Sequence, residues 1–117
     1  DVRTSAEWSY VGLPDLSSIG KQPILVEWQT FPGNEVNPRF VESLTGILDA
    51  AGVDKQAELF FICRSGSRSR RAAQAMAEAG YLACRSVADG FEGPIDSNRH
   101  RGQLAGWKAA GLPWAQT

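Results

Sequence analysis

The residues best suited to chemistry lie in one short segment, Cys63-Arg64-Ser65-Gly66-Ser67-Arg68-Ser69. The segment follows an apolar run typical of a buried strand and precedes an alanine-rich stretch typical of a helix. Backbone amides in such a loop can turn towards an anion, and the positive end of the helix dipole adds to the attraction. Gly66 allows the backbone conformations that such a turn requires. The segment therefore predicts an anion-binding loop that begins at a cysteine.

Cys63 is expected to be a reactive thiol. The helix terminus and the guanidinium groups of Arg64 and Arg68 favour the thiolate, lowering a pKa that is ordinarily about 8.5. The alternative is a buried cysteine that only fills space, but this reading gives no purpose to the glycine and the flanking arginines. Arg70 and Arg71 are expected on the solvated face of the following helix.

Three helices and three strands are predicted around this loop. Apolar spacing and capping residues indicate helices at 38–51, 69–79 and 101–110. Apolar runs indicate buried strands at 24–28, 59–63 and 84–88. Glycine and proline mark residues 8–23 and 89–99 as loops. Because strands and helices alternate, we expect one α/β domain with a parallel sheet covered by helices.

Two of these helices have further sequence signals. Asn37 is a suitable cap for the helix at 38–51, and Gly52 is a suitable stop. The helix at 101–110 is expected to turn Leu104 and Trp107 inward.

Length and charge narrow the classes of protein to consider. The 117 residues carry a formal net charge of -1, divided into -5 over residues 1–58 and +4 over residues 59–117. Nucleic-acid-binding domains are usually basic overall, so a small anionic ligand near the arginines fits better than nucleic acid. No apolar run is long enough to cross a membrane. Two cysteines are too few for a disulfide framework, which favours reduced thiols and a cytoplasmic location.

The loop resembles the active-site loop of single-domain rhodanese-like sulfurtransferases. Other segments that resemble this family are Asp1-Val2-Arg3 with Glu7-Trp8, Gly90-Phe91-Glu92-Gly93, and Gly106-Trp107 with Gly111-Leu112-Pro113-Trp114. The resemblance covers nearly the whole chain and implies a three-layer α/β/α domain, with a central parallel sheet, over residues 1–117. Family members normally carry a strand and a helix before the Asp-x-Arg element, so we expect about 20–30 further residues upstream in the natural protein.

The resemblance also implies a mechanism centred on Cys63. Its thiolate would take the outer sulfur of thiosulfate or a similar donor and become a persulfide. The amides of residues 64–69 would stabilise the negative terminal sulfur, and Arg64 and Arg68 would hold the anionic donor and the departing sulfite. A thiol or cyanide would then accept the sulfur. The family needs no metal or organic cofactor for this chemistry.

Two alternatives share the fold that the resemblance implies. Dual-specificity phosphatases and arsenate reductases of this fold need a cysteine, five residues and then an arginine, but here Ser69 occupies that position and Arg68 comes one residue earlier. A shorter loop fits a sulfur atom better than a tetrahedral oxyanion. The second alternative is a non-enzymatic module that carries sulfur or binds a partner, with a protein as sulfur donor or acceptor.

Residues outside the loop are expected to play lesser parts. Phe91 could border the active site, and Arg3 and Glu7 are expected to pair with each other because they are four residues apart. Cys84 is expected to be a buried small side chain, and His100 a surface residue. The four tryptophans are expected in the core or in pocket walls: Trp8, Trp28, Trp107 and Trp114.

Overall fold

The computed structural model describes residues 1–116 as helices and short strands around a parallel pair. In chain order the elements are α1 (Ser5–Tyr10), β1 (Leu13–Pro14), a 3-10 turn (Ser17–Ile19), α2 (Phe40–Ala50), β2 (Glu58–Phe61), α3 (Ser67–Glu78), β3 (Ala83–Ser86) and β4 (Trp114–Ala115). Strands β2 and β3 are parallel, and β1 pairs with β4 in antiparallel fashion. The predicted α/β organisation with a parallel sheet is thereby confirmed. None of the helices in residues 1–116 has the length and apolar character needed to cross a bilayer.

The strand–helix–strand unit β2-α3-β3 supports the loop that begins at Cys63. Glu58 on β2 lies opposite Ala83 on β3. Helix α3 buries Ala72, Ala73 and Met76 in the core, and the small alanine side chains let its backbone approach the strands closely. A helix packed on parallel strands must return along the sheet, so the loop before α3 lies at the carboxyl end of β2. Helix α3 begins two residues before the start predicted from sequence.

Helix α2 is the second element of the core, and its prediction is confirmed with small changes. Phe40, Leu44 and Leu48 are buried at a spacing of four residues. Ile47, which also falls at helical spacing with these residues, is exposed. The Asn37 side-chain oxygen accepts from the amide of Arg39 at 3.0 Å, so Asn37 supports the start of a helix that begins at Phe40 rather than at residue 38.

The predicted helix at 101–110 is wrong. This segment forms successive turns, with Gly102 and Gly106 both at positive φ. The amides of Trp107 and Lys108 donate to the carbonyls of Gly90 and Phe91, at 2.9 and 3.1 Å, instead of to carbonyls four residues back. Tertiary pairing therefore replaces helical pairing. Of the two residues expected to point inward, Leu104 is 64 % exposed and Trp107 is half-buried.

Two predictions in the first third of the chain also need correction. Residues 24–28 are not a regular strand. They run beside the chain start, where the Val26 amide donates to Asp1 O and the Trp28 amide to Val2 O, and Ile24 and Leu25 are exposed. Residues 8–10, predicted as loop, belong to α1. Thr4 and Glu7 form a capping box that stabilises the first turn of this helix.

Candidate active site

Gly66 fixes the shape of the loop between β2 and α3. It is the residue immediately before α3 and has φ +116°. A Cβ at this position would lie 2.2 Å from the carbonyl oxygen of Ala88. Since no real Cβ contact is that short, only glycine allows the loop to pass this close to the segment after β3.

The sulfur of Cys63 is surrounded by hydrogen-bond donors. The residue is 1 % exposed, and the amide of Gly66 donates to its Sγ at 3.1 Å. The amides of Ser65 and Ser69 and the Ser69 hydroxyl, 3.3 Å from Sγ, complete the cradle. Burial alone would raise the pKa of the Cys63 thiol, but these hydrogen bonds outweigh it and hold the pKa below its ordinary value.

A second hydroxyl, that of Ser86, contacts the hydroxyl of Ser69. The Ser86 Oγ, on β3, lies 2.7 Å from the Ser69 Oγ. The Ser69 hydroxyl also lies 3.1 Å from the Gly66 carbonyl oxygen, which can accept its proton. When Ser86 donates to Ser69, Ser69 is free to donate to the thiolate, because a hydroxyl has one proton and two acceptor lone pairs.

Arg68 is paired with an acidic residue from α1. Its Nη1 and Nη2 donate to the two carboxylate oxygens of Glu7 at 2.7 and 3.0 Å, and the two side chains are 16 % and 18 % exposed. Burial acts to raise the pKa of Glu7, but hydrogen bonds from Arg68 and Thr4 bring the pKa below its ordinary value. The predicted pairing of Glu7 with Arg3 is therefore wrong. Burial by itself would lower the pKa of Arg68, but the hydrogen bond and charge of Glu7 outweigh it and raise that pKa.

Arg3 is buried in the protein interior and pairs with Asp1. Its guanidinium is fully buried, bonds to the carboxylate of Asp1 at 2.6 Å, and donates to the carbonyl of Gly12 at 2.7 Å. It also stacks on the ring of Phe91, 4.3 Å from the ring centroid. Burial lowers the pKa of Arg3 to about 10.

Phe91 supports the loop from the inside of the protein. Its side chain is fully buried, and its amide donates to the Cys63 carbonyl at 2.8 Å. The amide of Glu92 donates to the carbonyl of Arg64 at 2.9 Å. The prediction that Phe91 borders a pocket therefore needs correction, because Phe91 is not among the residues that line the cleft described next.

An open cleft of about 850 Å³ lies over the outer side of the loop. Its walls come from α1, from residues 29–34, from the loop and from the segment after β3. The lining residues are Thr4, Ala6, Glu7, Tyr10, Val11, Gln29, Phe31, Asn34, Arg64, Ser67, Arg68, Glu92 and Arg101. Cys63 itself is not among the lining residues, because its side chain is buried within the cradle.

A second cavity of about 460 Å³ borders β2 and the buried face of α2. Its walls are mostly apolar side chains, and none of residues 63–69 lines it. The cysteine loop therefore contributes to the larger, charged cleft and not to the apolar cavity.

The structure brings together most of the residues predicted for the site. The cradle holds Cys63, Ser65, Gly66 and Ser69, whereas Arg64, Ser67 and Arg68 face the cleft. The low pKa of Cys63 agrees in direction with the sequence prediction, but the cause differs. Amides and a hydroxyl lower it, while the charge of Arg68 is shared with Glu7.

The remaining candidates lie away from this chemistry. Arg70 and Arg71 are exposed, as predicted. Cys84 is a half-buried free thiol packed against the core. His100 is exposed, and its amide donates to the carboxylate of Asp96 at 2.8 Å.

The tryptophans are divided between core and surface, and none of the four lines the charged cleft. Trp28 packs edge-on against Phe40 with ring centroids 5.1 Å apart. Trp114 packs edge-on against Phe91 at 6.3 Å. Trp8 is half-buried, and the half-buried Trp107 borders the apolar cavity.

Two contributors to the site were missed in the sequence. The pairing of Glu7 with Arg68 spans 61 residues, and nothing local indicates it, although Thr4 and Glu7 have the spacing of a capping box. The contact of Ser86 with Ser69 joins β3 to α3. It depends on the register of the parallel strands, which no local motif encodes.

Comparisons with known proteins agree with the geometry. The family model of the Rhodanese-like domain matches residues 1–94. An uncharacterized protein of Rickettsia rickettsii is 38% identical over 115 residues, covering 97% of this chain and 79% of the relative. A second, from Rickettsia conorii, is 39% identical with the same coverage.

A solved structure resembles the whole chain. The crystal structure of Rv0390 from M. tuberculosis is 44% identical in sequence and has a TM-score of 0.87, covering 100% of this chain and 82% of the other. A match over most of the chain, together with the cysteine loop at the end of a parallel strand, places the fold. The chain belongs to the family of rhodanese-like domains.

Proposed function

We propose that the chain is a sulfurtransferase that carries sulfane sulfur on Cys63. The observation that supports this most directly is the cradle around Sγ, where three amides and one hydroxyl stabilise negative charge on sulfur. Such preorganised donors favour a thiolate before the reaction and an anionic persulfide after it.

The first half-reaction loads the enzyme. The Cys63 thiolate attacks the outer sulfur of thiosulfate, a new S–S bond forms, and the S–S bond of the donor breaks. Sulfite leaves with the electron pair, and the negative charge of the thiolate passes to the terminal sulfur of the persulfide. The second half-reaction transfers this sulfur to cyanide or to a thiolate, which regenerates the Cys63 thiolate.

The arginine pairing argues against the phosphatase and arsenate reductase alternative. Those reactions need an arginine held ready for a tetrahedral oxyanion, whereas both terminal amino groups of Arg68 donate to the carboxylate of Glu7. The loop is also one residue shorter than that chemistry requires.

Intact-mass spectrometry after incubation with thiosulfate tests the proposal. We expect the wild type and Cys84→Ser to gain the mass of one sulfur atom, to lose it on addition of cyanide, and Cys63→Ser to gain nothing. Cys84→Ser is the matched control, since it removes the other thiol of the chain. Loading that persists in Cys63→Ser, or hydrolysis of an aryl phosphate without any sulfur gain, would overturn the proposal.

A further inference from the structure

The charges that line the cleft are closely balanced. The lining contains three arginines and two glutamates and neither lysine nor aspartate, which gives it a net charge of one positive unit. The charge of the nearby buried Arg3 is balanced by Asp1. The arginine-rich second half of the sequence suggests a strongly positive site. A donor that enters this cleft instead meets one net positive charge.

Glu7 contributes most to this balance. It accepts two hydrogen bonds from Arg68, at 2.7 and 3.0 Å, so the Nη1/Nη2 edge of the guanidinium is occupied and its charge is paired. Glu7 is itself held in place, because the amide of Thr4 donates to its carboxylate within the capping box. The other cations in the cleft are the exposed Arg64 and the half-buried Arg101. The Nη1 of Arg101 donates to the Gly93 carbonyl at 2.8 Å.

We propose that Glu7 is a specificity-determining residue that makes the site prefer sulfane donors with one negative charge over the dianion thiosulfate. This inference deepens the proposed function and rests on it. A thiosulfonate is such a donor. The Cys63 thiolate takes its terminal sulfur, the S–S bond of the donor breaks, and a sulfinate monoanion leaves with the electron pair. Total charge is the same before and after the transfer.

The electrostatic reason is the cost of placing two negative charges beside a thiolate. Charges in a partly buried site interact more strongly than in water and are screened less by salt. Because the charge of Arg68 is paired with that of Glu7, the cleft has one net positive charge, which can balance a monoanion but not a dianion. When the charge of Glu7 is removed, the guanidinium of Arg68 can pair with the second negative charge of thiosulfate.

The test compares two donors that differ mainly in charge. Methanethiosulfonate has a methyl group where thiosulfate has one of its charged oxygens, and both deliver a sulfane sulfur. Rate constants for sulfur loading of Cys63 are measured by rapid quench and intact mass for wild type, Glu7→Gln, Glu7→Asp and Glu92→Gln. Glutamine can keep the capping hydrogen bond to Thr4, and aspartate keeps the charge. Glu92→Gln removes a charge from the cleft without freeing Arg68.

We expect the ratio of the thiosulfate rate to the methanethiosulfonate rate to rise about tenfold in Glu7→Gln, as for one unit of charge in a partly buried site. It should change less in Glu92→Gln and stay near the wild-type value in Glu7→Asp. A purely structural role would slow both donors equally and leave the ratio unchanged, and that result would overturn the inference. If neither donor loads the wild type, the proposed sulfur transfer itself fails. If both load it and the ratios match, only the role of Glu7 fails.

Discussion

Cys63 and Cys84 lie at the two neighbouring parallel strands of the domain, yet their surroundings have opposite effects. Cys63 follows the end of β2 and receives hydrogen bonds from three amides and Ser69. Cys84 lies within β3, opposite Leu59, and its thiol points towards the carbonyl of Tyr81 at 3.7 Å. Burial raises the pKa of Cys84, whereas hydrogen bonds more than offset burial at Cys63 and lower its pKa.

Position relative to the strand end accounts for the different character of these two cysteines. Within a strand the amides are used by the neighbouring strand, and a thiol meets apolar side chains or carbonyl groups. Beyond the strand end, before a helix, amides are free to point inward at one atom. The arginines are less important for this difference than their number suggests, because Arg68 is paired with Glu7.

The largest effect on this contrast is expected from Gly66→Ala. The residue is at positive φ, which costs a non-glycine residue about 1–2 kcal/mol, and the new Cβ would meet Ala88 O at 2.2 Å. The loop must shift, so its amides no longer donate hydrogen bonds to Sγ. The pKa of Cys63 should then rise, as burial raises the pKa of Cys84. We expect alkylation of Cys63 by iodoacetamide at neutral pH to fall by about tenfold, the effect of losing one hydrogen bond to a charged group.

Gly46→Ala is the matched control. Gly46 lies inside α2, and an added Cβ there meets nothing within 4 Å. The change should leave Cys63 reactivity unaltered and raise the free energy of unfolding by about 0.5–1 kcal/mol, since alanine is the better helix former. Wild-type reactivity in Gly66→Ala would show that the cradle does not activate the thiol.

The next largest effect is expected in the pH at which each of the two thiols becomes reactive. Thiolate is the reactive form, and its fraction rises as pH passes through the pKa. The lowered pKa of Cys63 therefore predicts an alkylation midpoint below the ordinary value, and the raised pKa of Cys84 predicts one above it. The profiles are measured on Cys84→Ser and Cys63→Ser, each normalised to its own plateau so that the different accessibilities cancel. Coincident or reversed midpoints would contradict the assigned environments.

The smallest effect is expected from Ser86→Ala, two residues beyond Cys84 on β3. The variant removes a hydroxyl 2.7 Å from Ser69 Oγ. A hydroxyl that accepts a hydrogen bond is the stronger donor, so Ser69 should stabilise the thiolate less in this variant. We expect the alkylation midpoint of Cys63 to move to higher pH and its rate below the midpoint to fall about threefold, a loss near the lower end of hydrogen-bond energies. Ser43→Ala, on the exposed side of α2, should change neither quantity.

The sequence predicted those parts of the site that depend on neighbouring residues. The apolar run before Cys63, the glycine at the turn and the alanine-rich helix are local signals, and they located the loop and its supporting unit. The buried face of α2 was also readable from spacing, since Phe40, Leu44 and Leu48 recur every four residues.

The parts that could not be predicted depend on contacts between distant segments. Arg3 and Glu7 have suitable spacing for an ion pair, but each finds a better partner, Asp1 and Arg68 respectively. Residues 101–110 have the apolar spacing of a helix, but the amides of Trp107 and Lys108 pair with the carbonyls of Gly90 and Phe91, and the glycines of the segment adopt positive φ. In both cases tertiary pairing replaces a local preference.

The hydrogen bonds of Trp107 and Lys108 have a consequence for how the polypeptide can be shortened. Their amides bind the carbonyls of Gly90 and Phe91, and the Phe91 amide in turn binds the Cys63 carbonyl at 2.8 Å. Backbone hydrogen bonds thus connect three segments in series, from the final turns of the chain through residues 90–91 to Cys63. A fragment cut after Pro94, where the family match ends, would keep every residue of the cradle and lose the outermost segment. The backbone that supports the cradle therefore extends beyond the residues that the family model matches.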